Sequence, residues 1–310
     1  MSDCERTTLT AADGHVILLR HWRPASAAPR AAVQIFHGLA EHAGRYQRFA
    51  RQCTARGYAV TAHDHRGHGE LTAAGDLGHF ADRGGWDKVL ADGRLVQEAL
   101  RRRDPGLPLI LLGHSMGSYL AQHFVMRHPK SVQALLLSGS TLAPRLKLRA
   151  GRWVAHLERL LHGPAYRSAR LDALGFGAFN RRFQPARTAF DWLSRDAREV
   201  DRYLADPLCG APASAGLWCD LLGGLLAISS TRAARRIPAD LPILITGGAE
   251  DPVGGARGMR RLAAIYRKNG HGNVSLRVYA DGRHEMLNEL NREAFTADLL
   301  QWMDGATTTA

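Results

Sequence analysis

The chain has 310 residues, 45% of them hydrophobic, and a formal net charge of +12. This suits one large domain with a sizeable core, and no apolar stretch approaches the roughly 18 residues of a membrane span. Only four of the 41 basic residues are lysines, and the densest runs, Arg101-Arg102-Arg103 and Arg181-Arg182, are short and lack interleaved aromatics, which argues against a nucleic-acid surface.

The first residues, Met1 to Arg6, include acids and no apolar signal core, so a cytoplasmic location is expected. Residues 16–22 read as an early strand and residues 31–36 as a buried strand, followed by a helix over 45–56. Residues 58–62 form the next strand, and a helix follows over 86–103. The apolar run 107–112 is a strand leading into a helix from Ser115 to His128, and 132–137 is another strand. This alternation implies a parallel sheet covered on both faces.

From about residue 141 to 230 the alternation breaks into an irregular helical pattern. It resumes with a strand over 241–246, a helix over 255–268, a strand over 274–279 and a helix over 292–302. The expected organisation is a catalytic core of residues 1–140 and 231–304, a helical lid at 141–230 and a frayed tail at 305–310. Aromatics of the lid segment, Trp153, Tyr166, Phe179, Phe183, Phe190, Trp192 and Trp218 among them, read as packing residues. The four cysteines (Cys4, Cys53, Cys209 and Cys219) lack metal-ligand spacing and are expected to be free thiols, with a Cys209–Cys219 pairing as the alternative.

Gly113-His114-Ser115-Met116-Gly117 stands where the 107–112 strand gives way to its helix. A serine at such a turn projects its hydroxyl from a buried strand end, with glycines leaving room for the backbone. The helix N-terminus aims unpaired N–H groups at the same spot, where an acyl-transfer reaction needs its oxyanion stabilised. Ser115 is therefore the expected nucleophile. A serine hydroxyl needs a base, and His284 follows the last strand. Asp251, after the preceding strand, is the expected carboxylate, with Glu250 as the alternative. All three positions fall at the C-terminal ends of predicted parallel strands, the edge where such sheets bind ligands. His37-Gly38-Leu39-Ala40 is expected to bring the Leu39 N–H beside that of Met116 as the second oxyanion donor.

His63-Asp64-His65-Arg66-Gly67-His68 offers an H-x-H-x-x-H spacing that could ligate a metal. No downstream ligand set accompanies it. A hydrogen-bonded loop, with Asp64 and Arg66 paired to each other, is the expectation.

Together, His37-Gly38-Leu39-Ala40-Glu41-His42-Ala43-Gly44-Arg45-Tyr46, Asp64-His65-Arg66-Gly67-His68-Gly69 and Gly113-His114-Ser115-Met116-Gly117 resemble the monoacylglycerol lipase and lysophospholipase family of serine α/β-hydrolases. Gly78-His79-Phe80-Ala81-Asp82 and the stretch from Asp281 to Glu289 are similar to its bacterial branch. The resemblance implies the α/β-hydrolase fold: a mostly parallel eight-stranded sheet with helices on both faces and a lid over an acyl channel. It implies no cofactor, and the His63–His68 reading above leaves no metal expected. It also implies Ser115, Asp251 and His284 as the triad, with Leu39 and Met116 as oxyanion donors. Glu41, Arg45 and His114 would line the polar end, where an alcohol portion sits, although Glu41 and Arg45 read equally well as a structural ion pair. The implied reaction is hydrolysis of a small-molecule ester or lipid, with monoacylglycerols and lysophospholipids the first candidates; separately, the net positive charge suits transient contact with an anionic membrane surface. Other hydrolase chemistry (short-chain esterase, peptidase, acyltransferase) or a silent binding protein are the alternatives.

Overall fold

Short apolar runs buried on both faces form the inner strands of one sheet of eight strands. The eight are β1 (Glu5–Thr10), β2 (Val16–Trp22), β3 (Ala31–Phe36), β4 (Tyr58–His63), β5 (Leu109–His114), β6 (Ala134–Ser138), β7 (Ile243–Gly248) and β8 (Val274–Tyr279). The structure is a computed structural model and describes residues 4–25 and 28–308. The spatial order is β1-β2-β4-β3-β5-β6-β7-β8; β2 pairs antiparallel with β1 and β4, and every pairing from β4 through β8 is parallel.

Period-two alternation divides each central strand between two cores. Val33 and Ile35 of β3, with Ile110 and Leu112 of β5, face α1 (Gln47–Ala55) and the C-terminal helix. Ala32 and Phe36, with Leu109 and Leu111, face α2 (Gly85–Arg103) and α3 (Met116–Arg127). Burial on both faces explains why β3 to β7 read as continuous apolar runs.

Between β6 and β7 lie α4 (Arg145–His162), α5 (Ala169–Leu174), α6 (Phe176–Phe179), α7 (Ala197–Ala205), α8 (Ala215–Ile228) and α9 (Thr231–Ala234). Helix α8 packs in two directions. Leu217, Leu221, Leu225 and Ile228 join the core shared with α2 and α3, while Ala215 and Cys219 pack with Ala155 of α4. The chain then passes through α10 (Gly255–Lys268) and ends in α11 (Arg292–Thr308).

Strand β1 carries no strand signal in the sequence: Glu5-Arg6-Thr7-Thr8-Leu9-Thr10 is polar and largely exposed, and it is a strand because it pairs along the outer edge of β2. One expectation needs correction. The frayed tail at 305–310 is helical as far as Thr308. Asp304 holds this last turn to the core, receiving Arg30, Arg56 and the Tyr58 hydroxyl. Residues 309 and 310 lie outside the described residues.

Candidate active site

Strand β5 and helix α3 meet at Ser115, whose backbone sits at φ 51°, ψ −121°. For a non-glycine residue this is a strained conformation. It is locked by the Ser115 N–H donating to the Ser138 carbonyl at 2.9 Å, while the Ser115 carbonyl accepts from Ser118 Oγ at 2.6 Å. The glycines on either side are required by contact. A Cβ on Gly113 would strike the Gly117 carbonyl, and one on Gly117 would strike the carbonyls of Phe36 and His37.

His284 lies in the loop after β8, and its Nδ1 is 2.9 Å from Asp251 Oδ1, in the loop after β7. Asp251 Oδ1 also accepts the Val253 N–H at 2.9 Å, which orients the carboxylate. Both side chains are only 3% exposed, so the pair is shielded from water. Glu250, the alternative carboxylate, instead pairs with Arg182 at the surface. Burial works to push the His284 imidazole down, but the charge and hydrogen bond of Asp251, with Glu285 and Glu41 behind, hold it above its ordinary value. With Nδ1 committed to Asp251, Nε2 is the nitrogen left to act as a base. His284 and Ser115 line the same cavity.

The loop after β3 also lines it through Gly38 and Leu39. Here the Gly38 N–H donates to Glu41 Oε1 at 2.5 Å and the Ala40 N–H donates to His68 Nε2 at 3.2 Å. The Leu39 amide lies between these two committed donors. Across from it, Met116 is the first residue of α3, whose opening amides have no carbonyl in a preceding turn.

This resolves the histidine-rich segment. His68 Nδ1 bonds the Arg66 carbonyl, and His37 Nε2 accepts the His65 N–H at 2.9 Å while its Nδ1 meets the Gly38 carbonyl. Burial pushes His37 and His68 down, toward the neutral rings these bonds require, and pushes the His65 ring down as well. The segment braces the Leu39 loop. The expected Asp64–Arg66 pairing is absent: Asp64 binds Arg20 and the Ala43 N–H, whereas Arg66 binds Asp92 and Asp13.

Glu41, Arg45 and Glu285 form a buried ion cluster beside His114. Arg45 grips both Glu285 oxygens at 2.5 and 2.7 Å and reaches Glu41 Oε2 at 2.9 Å, while Tyr46 OH donates to Glu41 Oε1. Burial raises the Glu41 carboxyl, but the Arg45 charge overcomes this and holds it below its usual value. Glu285, missed in the sequence, is likewise held down by Arg45 against burial. Glu41 and His114 face the cavity that Ser115 lines.

That cavity has a volume of about 180 Å³. Away from the polar end its walls are apolar: Tyr119 and Val253 from the core, Leu221, Leu222 and Leu225 from α8, and Phe179, Trp192 and Trp218 from the inserted region. Three of the aromatics read as packing residues therefore face the site.

Among the described residues, one group brings metal-ligating atoms together: His42, Asp206 and Cys209, within 4.8 Å. His42 Nδ1 accepts the Gly44 N–H at 3.2 Å, which places the ring proton on Nε2, between the imidazole and Asp206 at 2.9 Å. A metal would have to displace that proton and break the Gly44 bond. The group fits a hydrogen-bonded tie between core and insertion.

Three comparisons bear on the site. A family model, Hydrolase_4 (serine aminopeptidase, S33), matches residues 27–291. The chain is 29% identical over 290 residues to a monoacylglycerol lipase of Mycolicibacterium smegmatis, covering 91% of this chain and 90% of that protein. It is 27% identical to the human monoglyceride lipase, covering 97% and 91%. The fold superposes on a thermostable carboxyl esterase from Bacillus coagulans with a TM-score of 0.90 at 24% identity, covering 99% of this chain and all of that one.

Proposed function

The chain belongs to the Hydrolase_4 family of α/β-hydrolases, and we propose from that premise that it cleaves carboxylic esters of lipids through an acyl intermediate on Ser115. His284 Nε2 takes the hydroxyl proton as Oγ attacks the ester carbonyl, and the oxyanion is met by the Leu39 and Met116 N–H groups. Asp251 holds the tautomer and stabilises the imidazolium. Collapse breaks the C–O bond, and His284 returns the proton to the departing alcohol. Water, deprotonated by His284, then attacks the acyl carbon and releases the fatty acid and Ser115. The observation that carries this reading is that His284, bonded to the buried Asp251, lines the same cavity as the strained Ser115.

The substrate class follows from the two ends of the cavity. Its apolar walls suit an acyl chain. At the polar end two carboxylates, Glu41 and Glu285, share one guanidinium, which leaves a net negative charge unfavourable to a phosphate. A neutral alcohol portion fits this end, so monoacylglycerols are favoured over lysophospholipids. Both names of the two relatives agree with this choice. The test is a competitive panel of a monoacylglycerol, a lysophospholipid and a short p-nitrophenyl ester, in which the monoacylglycerol should show the highest kcat/KM. A preference for the lysophospholipid would contradict the charge argument.

Access to such lipids is read on α4. Leu146, Trp153 and Leu160, spaced seven residues apart, are 79%, 68% and 82% exposed, with Leu161 beside them at 64%. Arg145, Arg149 and Arg152 border this stripe. Exposed apolar side chains flanked by arginines match the surface of an anionic bilayer. No helix among the described residues is long and apolar enough to cross a membrane.

A further inference from the structure

One carboxylate ties the inserted region to the histidine loop. Glu289 is fully buried and receives four hydrogen bonds. Its Oε1 accepts the N–H groups of Arg195 at 2.9 Å and Arg283 at 3.1 Å; its Oε2 accepts Arg195 Nε and the Leu290 N–H, both at 2.9 Å. Arg195 belongs to the insertion and neutralises the charge, while Arg283 immediately precedes His284. Every acceptor position is used by a donor from one of two segments that are far apart in the chain.

The same seam is closed on both sides of Glu289. The Glu285 N–H donates to the Leu193 carbonyl at 2.8 Å, and Ser194 Oγ donates to the Asn288 carbonyl at 2.8 Å. The Arg283 guanidinium donates to the carbonyls of Asp191 and Ser194 and lies over the Phe183 ring. Trp192, carried by this strip, covers the imidazole of His284. The base is thus held from below by Asp251 and from the side by a strip of the insertion.

We propose that Glu289 is a positioning residue: its carboxylate fastens residues 191–195 to the loop of residues 283–289 and thereby fixes the His284 ring toward Ser115. The proposal rests on the reading of His284 as the base. It also means that residues 191–195 do not swing away as a flap, since they are part of the support of the imidazole. Glu289→Ala removes all four acceptances. Glu289→Gln keeps one oxygen for two of the donors and turns an N–H toward the other two, so it splits the seam rather than abolishing it.

The test measures kcat and KM with a p-nitrophenyl ester, together with the downfield proton resonance of the His284 Nδ1–H bonded to Asp251. Misplacing a reacting group by about 1 Å costs on the order of 10²-fold in rate. We expect Glu289→Ala to lower kcat by about that factor with KM within about twofold, and to broaden or lose the imidazole resonance well below its melting temperature. Glu289→Gln should lie between it and the wild type, and it carries the test if Glu289→Ala does not fold. Leu299→Ala, in α11 away from the seam, is the control for destabilisation and should lower Tm while keeping kcat and the resonance. An unchanged kcat, or a resonance kept at its wild-type position in a folded Glu289 variant, overturns the proposal. A wild-type protein without esterase activity would instead remove the function proposed above, while the resonance still reports on Glu289.

Discussion

The indole of Trp192 lies over the imidazole of His284, with ring centroids 5.0 Å apart and the planes inclined at 41°. This contact adds to the burial that pulls the imidazole pKa down, against the Asp251 charge that raises it. Trp192→Ala admits water, weakens the downward pull and so raises the His284 pKa further. The acid limb of kcat/KM against pH is expected to move to higher pH, with a larger loss of activity at pH 7 than at pH 9. An acid limb that stays in place or moves down would show that Trp192 does not control the solvation of this ring.

In the wild type the sign is fixed by the same balance. In the proposed mechanism His284 must be neutral to accept the Ser115 proton, and its pKa is held above 6.5. Activity should therefore rise with pH through an apparent pKa above 6.5, and Asp251→Asn should lower kcat by about 10⁴-fold. The stability contributed by the protonated ring runs the other way: it is full below 6.5 and lost as pH rises through the folded-state value. A pH profile flat down to pH 5 would remove His284 as the base.

Glu41 illustrates a residue with two duties. Glu41→Ala leaves the Gly38 N–H and Tyr46 OH without their acceptor and strips one carboxylate from Arg45. Removing one member of a buried ion cluster costs about 3–5 kcal/mol. We expect a matching fall in urea-unfolding stability together with reduced kcat, because Gly38 belongs to the loop that carries Leu39. Full activity with lowered stability would leave Glu41 a purely structural residue.

His68→Ala releases the Ala40 N–H and loosens the loop that presents Leu39. If the Leu39 N–H is an oxyanion donor, as proposed, its loss costs about 2.7–4 kcal/mol of transition-state stabilisation, so a fall in kcat of up to that size is expected with little change in KM. Prolonged dialysis of the wild type against a chelator should leave the rate unchanged. A rate lost on dialysis and restored by zinc would turn attention to His42, Asp206 and Cys209.

Trp153→Ser and Leu160→Ser, on the exposed stripe of α4, should reduce co-sedimentation with vesicles containing anionic phosphatidylglycerol while sparing hydrolysis of a short soluble ester. Equal sedimentation of variant and wild type would remove α4 from membrane contact.

These sites differ in how plainly the sequence shows them. Strands β3 to β7 are legible because a parallel strand buried on both faces must be a short apolar run, and Ser115 because its glycines are demanded by the carbonyls of Phe36, His37 and Gly117. Strand β1 is not legible, since Glu5-Arg6-Thr7-Thr8 becomes a strand only through its partner. Asp64 and Arg66 were expected to pair with each other, yet their partners Arg20, Asp13 and Asp92 lie 26 to 53 residues away, which local spacing cannot reveal. Trp192 and Glu289 reach the site by the same kind of long-range closure. Only the folded chain shows that an aromatic of the insertion covers the imidazole and that a carboxylate five residues after His284 binds Arg195.

The most direct test labels the protein with a fluorophosphonate and locates the adduct by mass spectrometry of the digested chain. A single adduct on Ser115, absent from Ser115→Ala, is the predicted result. An adduct on another residue, or labelling that persists in Ser115→Ala, would contradict the account.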